Sequence, residues 1–208
     1  MQITEEIFLL DCSKGSRVYL VKGAETILID SGLPGLATKI LSELNQLGVS
    51  NHDIKKILVT HHDIDHIGNA KIIQDRTQAQ VWAPQLDIPY IKREKKREGI
   101  KRFLQLIIHP EIPNISGDYN TCNEFGEILA IHAPGHTPGH TIFQYKNVVF
   151  TGDLFRVNQG VIKITPSYMN WDHEEIKKSI MILKTLDFEW ICPSHSNPVK
   201  RKELRIGF

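Results

Sequence analysis

The sequence predicts an α/β fold in which two β-sheets pack face to face with helices on the outside. The chain opens with short β-prone segments, continues into a helix and a strand, and repeats this strand-rich pattern in its second half. Its 208 residues are enough for one large domain with a substantial core and too few for two. We therefore expect a single domain over residues 1–208.

The first half reads as strands, a helix and another strand. Apolar residues recur at helical spacing from Leu36 to Leu47, and Gly48 is a plausible helix stop. A second helix is expected over residues 68–78. The predicted strands lie at residues 7–10, 18–21, 26–29, 57–59 and 81–83.

The second half returns to strands and closes with a helix. Asp172, with Glu175 three residues later, is typical of a helix N-terminus, and the inner stripe of that helix runs from Ile176 to Leu186. The predicted strands lie at residues 128–131, 141–145, 148–151 and 190–192.

Residues 84–119 interrupt the pattern and are expected to form an insertion, a helix with one basic face followed by a loop. The run 92–102 carries seven Lys and Arg residues against two Glu residues. A solvated helix face is the favoured interpretation, and a substrate-facing lid or anion-binding patch is the alternative. The insertion could equally be a dimer arm, so a homodimer is left open.

Composition excludes several classes of protein. A net charge of +1 gives no global field for nucleic acid or membrane. Cys12, Cys122 and Cys192 are widely spaced, which argues against a disulfide framework or a thiolate zinc site. No apolar run has the length of a membrane helix, and no secretory signal is evident. We expect a cytoplasmic protein with reduced, mostly buried cysteines.

The stretch from Thr60 to Gly68 carries the strongest functional signal. It places three imidazoles and two carboxylates within six residues, directly after an apolar strand. A strand that ends in such a turn fixes where the side chains point, and these groups bind first-row divalent metals. Three further candidate ligands also follow apolar runs, among Gly, Pro or Ser: His136, Asp153 and His195. Together these residues supply enough donors for two metal ions.

The order of these motifs resembles the metallo-β-lactamase-fold hydrolase superfamily. The resemblance rests on residues 28–32, 60–68, 134–140, 152–153 and His195, and it covers nearly the whole chain. It implies an αββα four-layer sandwich, a metal site at one edge of the two sheets, and hydrolysis as the reaction. It also implies that His61 and His136 bind a first metal, that Asp65, His66 and His195 bind a second, and that Asp153 bridges them.

Asp63 departs from the family pattern, which has a histidine at this position. Zinc is the expected metal. A carboxylate is anionic and harder than an imidazole, so iron and manganese are the alternatives. The three carboxylates and a bridging hydroxide would cancel the charge of two divalent ions, which predicts a weaker Lewis acid than a histidine would give. Alternatively, Asp63 does not reach the first metal, and that site is weak or empty.

Other residues near these motifs are assigned supporting roles. His140 is expected to fix the loop that holds His136, and Asp30 to accept a hydrogen bond that orients the site. His62 is expected to be a partly exposed neighbour that points away from the metals. Arg156 is a candidate clamp for a substrate carboxylate or phosphate, and Tyr168 a weaker candidate for an oxyanion donor.

The predicted function is a dinuclear metal-dependent hydrolase that uses a metal-bridging hydroxide on a small ester, lactone or thioester, with Asp65 orienting the water or accepting its proton. Glyoxalase II-type thioesterases are disfavoured because they carry a further C-terminal domain, and only 13 residues follow His195. Lactonases of the acyl-homoserine type have a tyrosine where Arg156 stands, which makes that subclass less favoured without excluding it. The alternatives are a di-iron redox or oxygen-handling protein and a phosphodiesterase or nuclease-type member, although nucleic acid is a disfavoured partner.

Overall fold

The computed structural model describes residues 1–97 and 108–205. Within these ranges the strands form two six-stranded sheets and a two-stranded ribbon. The first sheet runs in chain order, β1 Ile7–Leu9, β2 Tyr19–Lys22, β3 Thr26–Ile29, β4 Ile54–Leu58, β5 Gln80–Ala83 and β6 Ile115–Asp118. Its first three strands are antiparallel, whereas β3, β4, β5 and β6 run parallel.

The second sheet contains β7 Glu124–Phe125, β8 Ile128–His132, β9 Thr141–Tyr145, β10 Val148–Gly152, β13 Trp190–Pro193 and β14 Val199–Lys200. Its spatial order is β14-β13-β10-β9-β8-β7, and only the β10–β13 pair is parallel. The ribbon pairs β11 Arg156–Asn158 with β12 Val161–Lys163.

The described helices are α1 Ala37–Gln46, α2 Ile64–Ile67, α3 Ala70–Thr77, α4 Ile88–Ile91 and α5 His173–Met181. Asp172 caps the N-terminus of α5, where its Oδ1 accepts the backbone N–H groups of Glu174 and Glu175 at 2.9 and 3.0 Å. None of the described helices has the length and apolar character needed to cross a membrane.

Three apolar clusters separate the layers of the fold. One packs α1 and α3 against the first sheet, with Ile40 and Ile57 fully buried. A second fills the space between the sheets around Tyr19 and Phe143. A third packs α5 against the second sheet around Ile176. The order helix, sheet, sheet, helix confirms the predicted αββα sandwich.

The segment 84–119 differs from the prediction in two ways. Ile115–Asp118 is a strand at the edge of the first sheet, although its sequence suggested a loop. Gly117 leaves room there for the Trp82 ring, which would collide with an added Cβ. The helix that the structure does contain, α4, is one turn long, and most of the predicted basic helix lies at 98–107, outside the described residues.

The sequence patterns also missed several short elements. The ribbon β11–β12 and the edge strands β7 and β14 are two or three residues long, too short for an alternating pattern to emerge. Of the cysteines, only Cys192 is buried, whereas Cys12 and Cys122 are partly exposed, and all three are free thiols.

Candidate metal centre

The candidate ligands converge because they follow strands that end at the same edge of the two sheets. His61, Asp63, Asp65 and His66 come after β4, Asp153 directly after β10, and His195 after β13. His136 lies in the loop between β8 and β9. The carboxyl ends of parallel strands are the usual place for ligand sites in such sheets. We call these seven residues the metal-ligand cluster.

One part of the cluster brings together His61, Asp63 and His136. The Asp63 Oδ2 atom lies 3.1 Å from Nε2 of His136 and 3.5 Å from Nε2 of His61. Asp63 also precedes α2, where its carbonyl oxygen accepts the N–H of His66 at 3.0 Å. The start of this short helix therefore directs the Asp63 carboxylate toward both imidazoles.

The other part brings together Asp65, His66 and His195, with Asp153 between the two parts. The Asp65 Oδ2 atom lies 3.3 Å from Nε2 of His195 and 3.7 Å from Nε2 of His66. The Asp153 carboxylate lies 3.3 Å from His66 Nε2, 3.0 Å from His195 Nε2 and 3.6 Å from His136 Nε2. Asp153 thus contacts imidazoles of both parts.

Each of the four imidazoles turns Nε2 into the cluster and makes a hydrogen bond through Nδ1 on the other side. The Nδ1 partners are Thr60 Oγ1 for His61, Asp30 Oδ2 for His66, Asn170 Oδ1 for His136 and the Gly15 carbonyl for His195. A protonated Nδ1 leaves the Nε2 lone pair available as a ligand. Four rings with this orientation point to a metal centre rather than to a hydrogen-bond network.

The donor atoms have the spacing that a divalent ion requires. Ligand atoms about 2.1 Å from a tetrahedral ion are about 3.4 Å apart, and most of the separations above lie close to that value. In each of three groups of three residues, the donor atoms lie within 4.8 Å of one another: His61, Asp63 and His136; His61, His66 and Asp153; Asp65, His66 and His195. In addition, Nε2 of His61 is buried without a hydrogen-bond partner. These residues therefore fit a bound metal.

The carboxylates of the cluster favour the protonated form of two of its histidines. Burial lowers the pKa of His66, but Asp30, Asp65 and Asp153 outweigh this and raise it well above its usual value. For His195 burial is likewise outweighed, and Asp153 and Asp65 raise its pKa to about 10. Burial and the neighbouring His66 lower the pKa of His61. A cation that binds through these two Nε2 atoms would therefore displace a proton from each ring.

Comparison with known proteins identifies the family. The family model described as the metallo-beta-lactamase superfamily matches residues 14–195, which is most of the chain. The chain belongs to the metallo-beta-lactamase superfamily. Its expected fold is thus confirmed, and this fold implies divalent metal ions, whereas the identity of the metal remains a prediction.

Two curated relatives and one solved structure illustrate this superfamily membership. The chain is 26% identical over 206 residues to the probable metallo-hydrolase YflN of Bacillus subtilis, covering 86% of the chain and 78% of the relative. It is 30% identical over 165 residues to the hydroxyacylglutathione hydrolase GloC of Haemophilus influenzae, covering 74% and 70%. TTHA1623, solved in a di-iron-bound form, shares 23% identity and a TM-score of 0.70 over 89% of each chain.

The residues expected to support the cluster make specific contacts. Asp30 is buried and accepts the N–H of Thr60 at 2.8 Å in addition to contacting His66. His140 is fully buried between Ala133 and Asp153: its Nδ1 lies 3.0 Å from the Ala133 carbonyl, and its Nε2 accepts the Asp153 N–H at 3.1 Å. Burial lowers the pKa of His140 to about 3, which keeps the ring neutral. His140 thus fixes the backbone of Asp153.

The two candidate substrate residues are not brought into the cluster. Arg156 is exposed at the start of β11, where its backbone pairs with Lys163. Tyr168 is 69% exposed in a short 3-10 turn. This turn precedes Asn170, the partner of His136, and therefore borders the site. Both assignments remain predictions.

His62 is not the partly exposed neighbour that the sequence suggested. It is only 4% exposed, its ring stacks on Tyr90 at 4.4 Å between centroids, and its Nδ1 lies 2.8 Å from Oδ2 of Asp87. Among the described residues, it does not belong to any of the three groups whose donor atoms could hold a metal ion. Asp87 and Tyr90 hold one side of the ring, while its Nε2 lies 3.7 Å from Oδ1 of Asp63, so the ring does not point away from the cluster as the sequence suggested.

Asp87 was missed by sequence reasoning, although it connects two loops of the site. Its fully buried carboxylate accepts the N–H of His62 at 2.9 Å, the N–H of Gly139 at 2.8 Å and the hydroxyl of Thr137 at 2.8 Å. Through these hydrogen bonds, Asp87 connects the turn after β4 to the loop that carries His136. Its position shortly after β5, at the same sheet edge, was the available signal.

The basic run also differs from the favoured interpretation of a solvated face. Lys95 and Lys96 are exposed, but Arg97 is only 4% exposed. Its Nη2 donates a hydrogen bond to the carbonyl oxygen of His62, inside the turn that carries four of the candidate ligands. One cation of this run therefore belongs to the site.

Proposed function

We propose that the protein is a dinuclear metal-dependent hydrolase that acts on a small thioester, ester or lactone. The observation that supports this is the convergence of four histidine Nε2 atoms and three carboxylates, while the Nδ1 atom of each ring makes a hydrogen bond on the opposite side. A set of imidazoles and carboxylates suits zinc, iron or manganese. Zinc is the expected metal, and Asp63 keeps the other two open.

In this proposal, His61, Asp63 and His136 would hold one ion, Asp65, His66 and His195 would hold the second, and the Asp153 carboxylate would be available to both. This division follows the distances within the metal-ligand cluster, where Asp153 contacts His136 on one side and His66 and His195 on the other.

Two bound ions supply Lewis acidity and lower the pKa of the attacking water. The chain itself orients the reaction. Asp65 is the best placed proton acceptor, because its side chain is 25% exposed whereas that of Asp153 is 7% exposed. The turn that contains Tyr168 borders the site through Asn170, and Tyr168 and Arg156 stay candidates for contacts to an oxyanion and to an anionic group of the substrate.

A thioester is the first substrate class to test. Among the relatives are a hydroxyacylglutathione hydrolase and a probable metallo-hydrolase, which makes acyl transfer to water the reaction with most support. The expectation against glyoxalase II-type enzymes rested on the chain length after His195 and does not bear on the site. Small esters and lactones share the same electrophilic carbonyl and stay within the proposal.

The experiment is a substrate panel on metal-stripped protein reloaded separately with zinc, manganese and iron. Thioesters, esters, lactones and phosphodiesters are each assayed, with Asp153→Asn as the inactive variant and Lys96→Gln as the exposed control. We expect hydrolysis of at least one carbonyl substrate that depends on metal and on Asp153. Protein that binds two ions but hydrolyses no thioester, ester or lactone would overturn the proposal, and hydrolysis of phosphodiesters alone would favour the phosphodiesterase alternative.

A di-iron redox protein is the second candidate, because Asp63 adds a carboxylate to the ligand set. TTHA1623 has been solved in a di-iron-bound form, so iron occurs in this fold. Protein purified without chelator distinguishes the two candidates. Two irons per chain with a visible absorption band, and no hydrolysis with any metal, would favour the redox function.

A further inference from the structure

Arg97 places a positive charge beside the metal-ligand cluster. Its side chain is almost completely buried, unlike the neighbouring Lys95 and Lys96. One nitrogen, Nη2, donates to the His62 carbonyl, while Nε is buried without a hydrogen-bond partner. A buried guanidinium with unused hydrogen-bonding capacity is costly, so another interaction must stabilise it.

Nearby carboxylates provide that stabilisation. Burial lowers the pKa of Arg97, but Asp63, Asp65 and Asp87 act in the opposite direction and favour its charged form. An arginine keeps its charge in such surroundings. Among these three carboxylates, that of Asp63 belongs to the residue directly after the His62 carbonyl to which Arg97 donates its hydrogen bond.

We propose that Arg97 is the counter-charge of Asp63 and sets the net charge of the metal centre. Arg97 is hydrogen-bonded to the carbonyl of the peptide that precedes Asp63, which holds its guanidinium beside the turn that carries Asp63. With Arg97 present, the carboxylate at position 63 adds no net negative charge, and bound ions keep their Lewis acidity. Arg97 is thus a positioning residue rather than a catalytic one, because it acts through Asp63 and its backbone.

The inference rests on the metal centre of the proposed function. The direction in which metal affinity changes when Arg97 is replaced tests it. A cation beside the cluster repels metal ions, so its removal in Arg97→Gln should tighten zinc and manganese binding by about tenfold or more. If Arg97 only held the turn in shape through the His62 carbonyl, the same substitution would weaken binding. Competition with a chromophoric chelator at fixed pH and ionic strength gives these affinities without any assay of turnover.

Two further variants complete the test. Arg97→Lys keeps the charge and should bind metal as the unsubstituted protein does. Lys96→Gln removes a charge of the same sign from an exposed neighbour and should leave the affinity unchanged, because water screens that position. Weaker binding in Arg97→Gln, or equal tightening in Lys96→Gln, would overturn the inference.

If Arg97→Gln does not fold, the double variant Asp63→Asn/Arg97→Gln replaces it, since it removes both charges together. This variant should bind metal more tightly than Asp63→Asn alone, and weaker binding would overturn the inference. Metal binding without hydrolysis would overturn the proposed function and leave the inference about Arg97 standing. A protein that binds no metal would overturn both.

Discussion

Oδ2 of Asp30 lies 2.8 Å from Nδ1 of His66, while Nε2 of the same ring lies 3.3 Å from Oδ1 of Asp153. The ring is therefore held between a carboxylate outside the metal-ligand cluster and one inside it. Asp30 occupies this position with a φ of 63°, in the left-handed region that aspartate and asparagine tolerate better than most residues. This backbone aims the carboxylate back at His66 immediately after β3 ends.

Asp30→Asn should weaken metal binding while the fold is kept. Asparagine also tolerates the left-handed conformation, so the substitution mainly removes the charge that fixes the orientation of His66. Loss of such an outer carboxylate costs about 10- to 100-fold in metal affinity. Chelator competition measures the effect, and Asp75→Asn on the surface of α3 is the control. Equal affinities for the two variants would contradict this role of Asp30.

Asp87→Asn should destabilise the protein. The carboxylate accepts two backbone N–H groups and a hydroxyl, and an amide in its place would turn its own N–H₂ group toward one of these donors. Disrupting a buried charged network of this kind costs about 3 kcal/mol, which should lower Tm by roughly 10 °C for a chain of this size. Thermal unfolding with Asp75→Asn as control tests this. A matching Tm for both variants would show that Asp87 does not hold the two loops together.

Metal binding should release protons, and the release should depend on pH. His66 and His195 have raised pKa values in the metal-free protein, about 10 for His195, so both are protonated at neutral pH. Binding through Nε2 should release about two protons near pH 7 and fewer as the pH rises through 10. Calorimetry in buffers of different ionisation enthalpy counts these protons. His195→Gln should release one fewer, and His52→Gln on the surface should not differ from the unsubstituted protein.

The raised pKa of His195 also determines how the stability of the metal-free protein depends on pH. A histidine whose pKa is higher in the folded protein than in the unfolded chain adds to the free energy of unfolding. The full contribution is present at pH values below the pKa of the unfolded chain, about 6.5. It is lost as the pH rises through the pKa of the folded protein. The His195–Asp153 pair should therefore stabilise the metal-free protein at neutral pH and progressively less toward pH 10.

The convergence of the candidate ligands was predictable because the sequence signal for each of them is local. The spacing within residues 60–68 and the small residues around His136 and His195 are visible in the sequence, and each follows an apolar strand. Because the strands end at one edge of the two sheets, the residues that follow them lie close together. Their proximity could therefore be predicted without predicting the paths of the loops.

Asp87 and Arg97 were not predictable in the same way. Each is a single charged residue in a segment without periodicity, and its role depends on how the chain returns from β5 to the turn after β4. The run that contains Arg97 looked like a solvated face because composition does not distinguish an exposed cation from a buried one. The strand Ile115–Asp118 was missed for a similar reason, since pairing with β5 rather than its own residues makes it extended.

Gly68→Ala should destabilise the protein through steric collision alone. Gly68 has a φ of −57°, which any residue adopts, so backbone conformation is not the reason for glycine. An added Cβ would lie 2.5 Å from the Pro34 nitrogen and against the Gly32 carbonyl. Overpacking against backbone costs about 2 kcal/mol. Gly126→Asn is the control, because no atom lies within 4 Å of a Cβ at that open turn. Equal unfolding temperatures would contradict close packing between these loops.

Asp63→His should preserve metal binding but shift its preference toward zinc. The Asp63 carboxylate lies 3.1 Å from Nε2 of His136, so a side chain at this position shares the same ion as His136. Exchanging a hard anionic oxygen for an imidazole nitrogen favours zinc over manganese, by about tenfold in the ratio of their affinities if the residue is a direct ligand. Asp63→Asn, which also removes the charge but offers only a weak amide oxygen, should lose affinity for both metals. Competition titrations with each metal give the ratios. An unchanged ratio in Asp63→His would mean that residue 63 does not contact the ion, and the first site would then be held by His61 and His136 with Asp153 alone.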